Sequence, residues 1–346
     1  MAGELKDDIV VILDQKEGSQ IYNKGNYGYP ISKGGLNLDL LEATYLLESK
    51  RLEVLCDGRS ISFEELFKHA SGIHEDFDIR YMVFRDIRSR GFVVKNETGD
   101  FDFSVFPRGK TMSNSRPEYM VKAVSERTAF DLRTFCDDVQ KTGTKEKKLL
   151  YAVVDEEGDL TYYVISIKEP VGKIIITGAE ACPGSLIRDR VFIFNEEHAR
   201  SVYENGFFGK ADDGILQLSL IEAHYLMRKG LLTVTSGGRN IGISEMVDFG
   251  NRMQNEFTAR SKTFDDLRDK GLLVKTGFKY GTHFRVYEGS PDKCHARYLV
   301  HSVDGDRRMT WPEISRTVRL AHGVKKEILF CDSGTIKYTE FKRFRP

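Results

Sequence analysis

The chain repeats itself, and that constrains its fold more than any other feature. At an offset of about 180 residues, VVILD (10–14) answers VFIFN (191–195) and YNKGNYG (22–28) answers YENGFFG (203–209). LNLDLLEATYLLESKRLEV (36–54) then matches LQLSLIEAHYLMRKGLLTV (216–234), and FRDIRSRGFVVK (84–95) matches FDDLRDKGLLVK (264–275). Two long, non-periodic units point to one duplicated module. A solenoid stacks several shorter repeats instead. The length of 346 residues suits such a multi-domain chain.

Each copy divides again. Apolar positions Leu40, Leu41, Tyr45, Leu46 and Leu47 recur at helical spacing behind Asp39, with Ser219 at the matching start in copy two and Gly230 as its C-cap. Second helices are predicted over 62–72 and 244–254, and third helices end at Gly91 and Gly271. Beyond them FDFSVF, YMVKAV, HFRVY and RYLVHSV alternate as strands do. The expected class is α/β: in each repeat a helix-rich N-terminal subdomain and a mixed-sheet C-terminal one. The expected units are 1–85 and 86–169 in copy one, a connection at 170–189, and 190–265 and 266–346 in copy two. Pro170, Gly172, Gly178, Pro183 and Gly184 punctuate that connection, whose KIIIT run also has strand character.

Charge narrows the function. Lys+Arg and Asp+Glu both number 52, which argues against a uniformly basic coat. Residues 271–346, however, hold 15 Lys/Arg against 8 Asp/Glu, so a polyanion-binding face is expected there. The five cysteines include no C-x-x-C pair, which fits a reducing cytoplasm and neither a zinc ribbon nor a disulfide framework. No apolar run approaches the ~20 residues that span a bilayer, so the chain reads as soluble and unprocessed.

Three stretches of copy two, KTGFKYGTHFRVY (275–287), His295 before YLV (298–300), and VRLAHGVKK (318–326), resemble the catalytic-domain motifs of archaeal tRNA-intron endonucleases. The resemblance runs through both copies and is strongest to homodimeric members whose subunit is a tandem fusion. It implies nuclease-like back halves, no cofactor, no metal, and a catalytic triad of Tyr287, His295 and Lys326. It also implies that two arginines clamp a flipped base, Arg319 matching one and Arg343 standing for the second. Tyr280 is a rival tyrosine, and His283, His301 and His322 are rival histidines; a lone histidine is more often structural.

The chemistry suits these residue types. RNA carries its own nucleophile, the 2′-hydroxyl, so cleavage needs a base, an acid for the departing 5′-oxygen, and a cation for the phosphoryl charge. The resemblance assigns these roles to Tyr287, His295 and Lys326, with 2′,3′-cyclic phosphate and 5′-hydroxyl ends as products. Phenols ordinarily titrate near ~10, so a tyrosine base needs nearby cations that favour phenolate.

Copy one supplies an internal control. Phe106 falls opposite Tyr287, Arg116 opposite His295 and Lys147 opposite Lys326, so base and acid are both missing and that copy is expected to be inactive. Its acidic turn, Asp155-Glu156-Glu157-Gly158-Asp159, is by default a polar hairpin. The resemblance makes it a loop that docks into a basic surface of a partner, and so implies a homodimer acting on precursor tRNA with a bulge–helix–bulge. Two other readings compete: a metal-dependent nuclease of restriction-type fold, and a non-catalytic RNA-binding assembly subunit.

Overall fold

The computed structural model describes residues 1–143, 146–176 and 180–346. Local signals start the helices where the sequence places them. The Asp39 carboxylate accepts from Glu42 N at 2.8 Å, capping the helix Leu40–Glu48. Ser219 caps Leu220–Arg228 in the same way, and Glu222 returns a bond from Ser219 N at 3.0 Å. The second helices are Phe63–Ile73 and Ile243–Met253, the third Phe77–Ser89 and Phe257–Asp269.

The front halves are not only helical. Each also carries a six-stranded sheet; the second runs Lys210–Asp212, Ile215–Ser219, Arg190–Ile193, Cys182–Ile187, Leu232–Ser236, Arg239–Ile241. These strands hold two to six residues, a length at which alternation gives only a weak signal in the sequence.

The expected boundaries shift as well. Residues 85/86 and 265/266 fall inside the third helices, whose apolar faces join front and back halves into one core per copy. The connection expected at 170–189 is shorter, because Cys182–Ile187 is a strand of the second front sheet. Gly184 punctuates the sequence yet sits mid-strand, where a Cβ would stand 2.8 Å from Val191 and 3.1 Å from Leu232. Lys173–Ile176 form no strand, and Thr177 lies outside the described residues. This segment is tethered all the same: Gly172 N donates to Lys270 O and Ile174 N to Gly271 O, both at 2.9 Å.

The back halves fuse into one ten-stranded sheet. Its order is Leu273–Thr276, Phe284–Tyr287, Tyr298–Val303, Glu327–Asp332, Lys337–Phe344, Leu160–Lys168, Lys148–Val154, Tyr119–Ser125, Phe103–Val105, Val94–Asn96. Each copy alone would leave its last strand as an open edge. Here the two edges pair antiparallel, from Tyr162↔Phe344 to Lys168↔Tyr338, relating the copies by a pseudo-two-fold. The helices Leu132–Lys141 and Trp311–Gly323 cover this seam, with Phe135, Tyr163, Trp311, Phe330 and Phe341 buried under them. Each such aromatic contributes roughly 1.5–3 kcal/mol by burial. Arg133 of copy one also reaches the buried Asp332 of copy two at 3.3 Å.

Candidate active site

Three neighbouring strand ends build the site. Tyr287 closes Phe284–Tyr287, which pairs antiparallel with Tyr298–Val303 through Val286↔Tyr298. Lys326 stands just before Glu327–Asp332, which pairs parallel with the other side of that strand through Tyr298↔Glu327. The middle strand is entered from His295, so the register alone gathers all three candidates at one end of the sheet.

Ala296 is where they meet. The Tyr287 ring packs against Ala296 and Leu273 and keeps only 8% of its surface exposed. Lys326 Nζ donates to Ala296 O at 2.9 Å. His295, one residue earlier, is exposed. Arg297, which the sequence did not single out, braces the cluster: it pairs with Glu288 at 2.7 Å and Glu327 at 2.9 Å, the residues after Tyr287 and Lys326. Copy one holds the mirror-image charge pair, Lys148 with Glu118 at 2.8 Å. Only the swap of sign between the copies could have flagged Arg297.

The rivals separate by burial. His283 and His301, both half-buried, stack at 4.3 Å, and Ser302 N donates to His283 Nδ1 at 3.1 Å. Burial first, then His301, Arg260 and Arg307, push the His283 pKa down to about 3. Burial also lowers that of His301. Both shifts favour the neutral ring over the imidazolium that would serve as a general acid. His322 is exposed and shares a depression of about 280 Å³ with Lys326 and Arg343. Tyr280 is half-buried, its ring centroid 5.9 Å from Lys326 Nζ.

The two arginines face different hollows. Arg343 shares the depression of Lys326, while Arg319 lines another of about 410 Å³ with Arg316, Asp155 and Asp159 of the same chain. In the acidic turn, Asp155 accepts from Glu157 N and Asp159 N at 3.0 and 2.8 Å, and Glu156 pairs with Arg127. Glu157 and Asp159 keep their carboxylates free of ion pairs among the described residues, and both are exposed. Sequence reasoning also passed over Phe278. It stands 86% exposed on the short 3₁₀ turn Phe278–Tyr280, which Gly277 N→His283 O (3.0 Å) and Tyr280 N→Gly277 O (2.8 Å) hold in place.

Among the described residues, no three His, Cys, Asp or Glu side chains are grouped to hold a metal ion. No helix there is long and apolar enough to cross a membrane. The sequence pattern of the tRNA intron endonuclease N-terminal domain matches residues 1–67 and again 182–247, and that of the catalytic C-terminal domain matches 77–162 and 257–338. The chain is 36% identical to a tRNA-splicing endonuclease of Methanococcoides burtonii, over 97% of each chain. It is 35% identical to the one of Methanosarcina acetivorans over 97% of each, and 32% identical to the one of Halobacterium salinarum over the full length of both.

Proposed function

The chain belongs to the tRNA intron endonuclease family and is an endonuclease of tRNA splicing; from that premise we propose that it cuts both intron junctions of a precursor tRNA bulge–helix–bulge by metal-independent transesterification. The observation that carries this reading is the meeting of Tyr287 and Lys326 on Ala296, beside an exposed His295. Tyr287 takes the proton of the 2′-hydroxyl, whose oxygen attacks the adjacent phosphorus. His295 gives its proton to the departing 5′-oxygen. Lys326 stabilises charge on the non-bridging oxygens, an effect worth ~10²–10³ in rate for one well-aimed donor. The 3′ end of the upstream fragment then carries a 2′,3′-cyclic phosphate, and the downstream fragment begins with a 5′-hydroxyl.

Around the site, Arg319 and Arg343 flank the path of the strand, and Phe278 offers a base an exposed aromatic face. Phe106 and Arg116 leave copy one without base or acid, and it serves as scaffold. Its turn Asp155–Asp159, with Glu157 and Asp159 outward, docks onto the basic half of a second copy in a cytoplasmic homodimer with two active sites. Sedimentation as an active monomer overturns the dimer.

The mechanism is tested on a bulge–helix–bulge RNA in excess EDTA, with end-group analysis. Cleavage to cyclic phosphate and 5′-hydroxyl ends is expected. Complete loss of cutting that magnesium restores would refute the metal-free route.

A further inference from the structure

A second charged cavity lies away from the triad. It has a volume of about 340 Å³ and opens between the second front sheet, the helix Phe257–Asp269 and the strand pair Leu273–Thr276/Phe284–Tyr287. Phe284 and Val286 turn into this side of the sheet with the second core, whereas Tyr287 turns the other way, against Leu273 and Ala296. Four cations line the cavity, Arg190, Lys210, Arg260 and Lys275, against one carboxylate, Glu222.

That carboxylate is already engaged. It accepts from Gly209 N at 2.8 Å and from Ser219 N and Oγ at 3.0 and 2.8 Å, with Lys275 Nζ at 3.7 Å. Lys210 and Arg260 have no carboxylate within ion-pair distance among the described residues, and the buried Arg260 Nε has no acceptor. Among the described residues Arg190 pairs with Asp189 alone, its neighbour in the chain, at 2.7 Å.

Copy one shows what the same place looks like when filled. The repeat sets Arg80 against Arg260, Lys95 against Lys275, Glu42 against Glu222, Asp39 against Ser219 and Asp102 against His283. The last match is structural too: Asp102 accepts from Ala123 N at 2.9 Å, as His283 accepts from Ser302 N at 3.1 Å. In copy one, Arg80 pairs with Asp102 at 3.1 Å and Lys95 with Glu42 at 2.6 Å, under the ring of Tyr29. Two cations there face three carboxylates. Copy two has lost two of those acids, and it carries Arg190 and Lys210 where copy one has Ile9 and Tyr29. Arg260 donates to Gln254 at 3.4 Å and feels the charge of Glu256 without a direct ion pair. A half-buried guanidinium so placed is costly, and the balance of four cations to one engaged carboxylate calls for a ligand that brings negative charge.

We propose that this cavity binds the phosphate of a nucleotide, held by Lys210, Arg260 and Lys275, with the nucleoside against the apolar wall of Phe284 and Val274. Its size falls in the small-ligand range and exceeds what a bare oxyanion fills. Two sources share this chemistry: a free nucleotide, or one nucleotide of the RNA strand. The free-nucleotide arm is independent of the RNA-cleavage reading, since it is read by binding alone.

The test titrates the full-length protein with adenosine 5′-monophosphate by calorimetry, alongside Lys210→Glu and Arg260→Gln. Lys210 is exposed, so its variant keeps the test open if Arg260→Gln fails to fold. One nucleotide per chain is expected, with affinity reduced about tenfold or more in Lys210→Glu. A labelled precursor RNA then distinguishes the sources. Displacement by the nucleotide, with a salt slope smaller by about 1 in Lys210→Glu, assigns the site to the RNA strand. Nucleotide binding without displacement assigns it to a free nucleotide. Absence of nucleotide binding together with an unchanged RNA salt slope overturns the proposal, as does binding that Lys210→Glu leaves intact. Nucleotide binding in a protein that needs magnesium to cut refutes the mechanism above and leaves this site standing.

Discussion

His283 gives the sharpest check on the electrostatics of the catalytic half. The groups facing it are His301 from the next strand, Glu256 and Arg260 from the start of the third helix, and Arg307 from the loop before the last helix. Burial and the neighbouring positive charge hold its pKa at about 3, against 6.5 for the ordinary ring. A base with a depressed value is destabilised in the fold once protonated. The stabilisation is therefore fully present above pH 6.5 and is lost progressively as pH falls toward 3. At pH 5, some 1.5 below the ordinary value, the loss is about 2 kcal/mol, taking ~1.4 kcal/mol per pH unit. His283→Asn keeps an acceptor for Ser302 N and removes the titration. We expect urea unfolding to show the variant losing about 2 kcal/mol less than the parent between pH 7.5 and pH 5. The His283 ring resonance, assigned by difference from the variant, should stay neutral to below pH 4. A ring titrating near 6.5, or an equal acid loss in both proteins, refutes the reasoning and readmits His283 as a proton donor.

Other consequences follow from the same geometry. His295→Ala should reduce cleavage by ~10²-fold or more with RNA affinity retained, whereas His322→Ala, on a neighbouring exposed position, should cut within about tenfold of the parent; single-turnover rates decide. Phe278→Ala should weaken RNA binding by ~1–3 kcal/mol, seen as a raised KM with little change in kcat. Lys95→Met leaves the fully buried Glu42 without its 2.6 Å partner and should destabilise the chain by about 3–5 kcal/mol, a loss that Glu42→Gln in the same chain should largely restore.

The duplication, the caps at Asp39 and Ser219, and the change of Tyr287 and His295 to Phe106 and Arg116 were all legible in the sequence. Each is a matter of residue identity and local spacing, which the chain carries before it folds. The tertiary structure decided what depends on register. Tyr287 and Lys326 are 39 positions apart, and only the pairing of three strands brings both to Ala296. Likewise, burial adds to the motif's choice, setting the half-buried His283 and His301 apart from the exposed His295. The apolar runs 10–14 and 191–195 read as strand-like and do hold strands, Ile9–Ile12 and Arg190–Ile193, but the seam at Tyr162↔Phe344 and the cationic cavity were invisible for the same reason. Each arises where residues distant in sequence meet, and charge imbalance there is set by which partners the fold brings within reach.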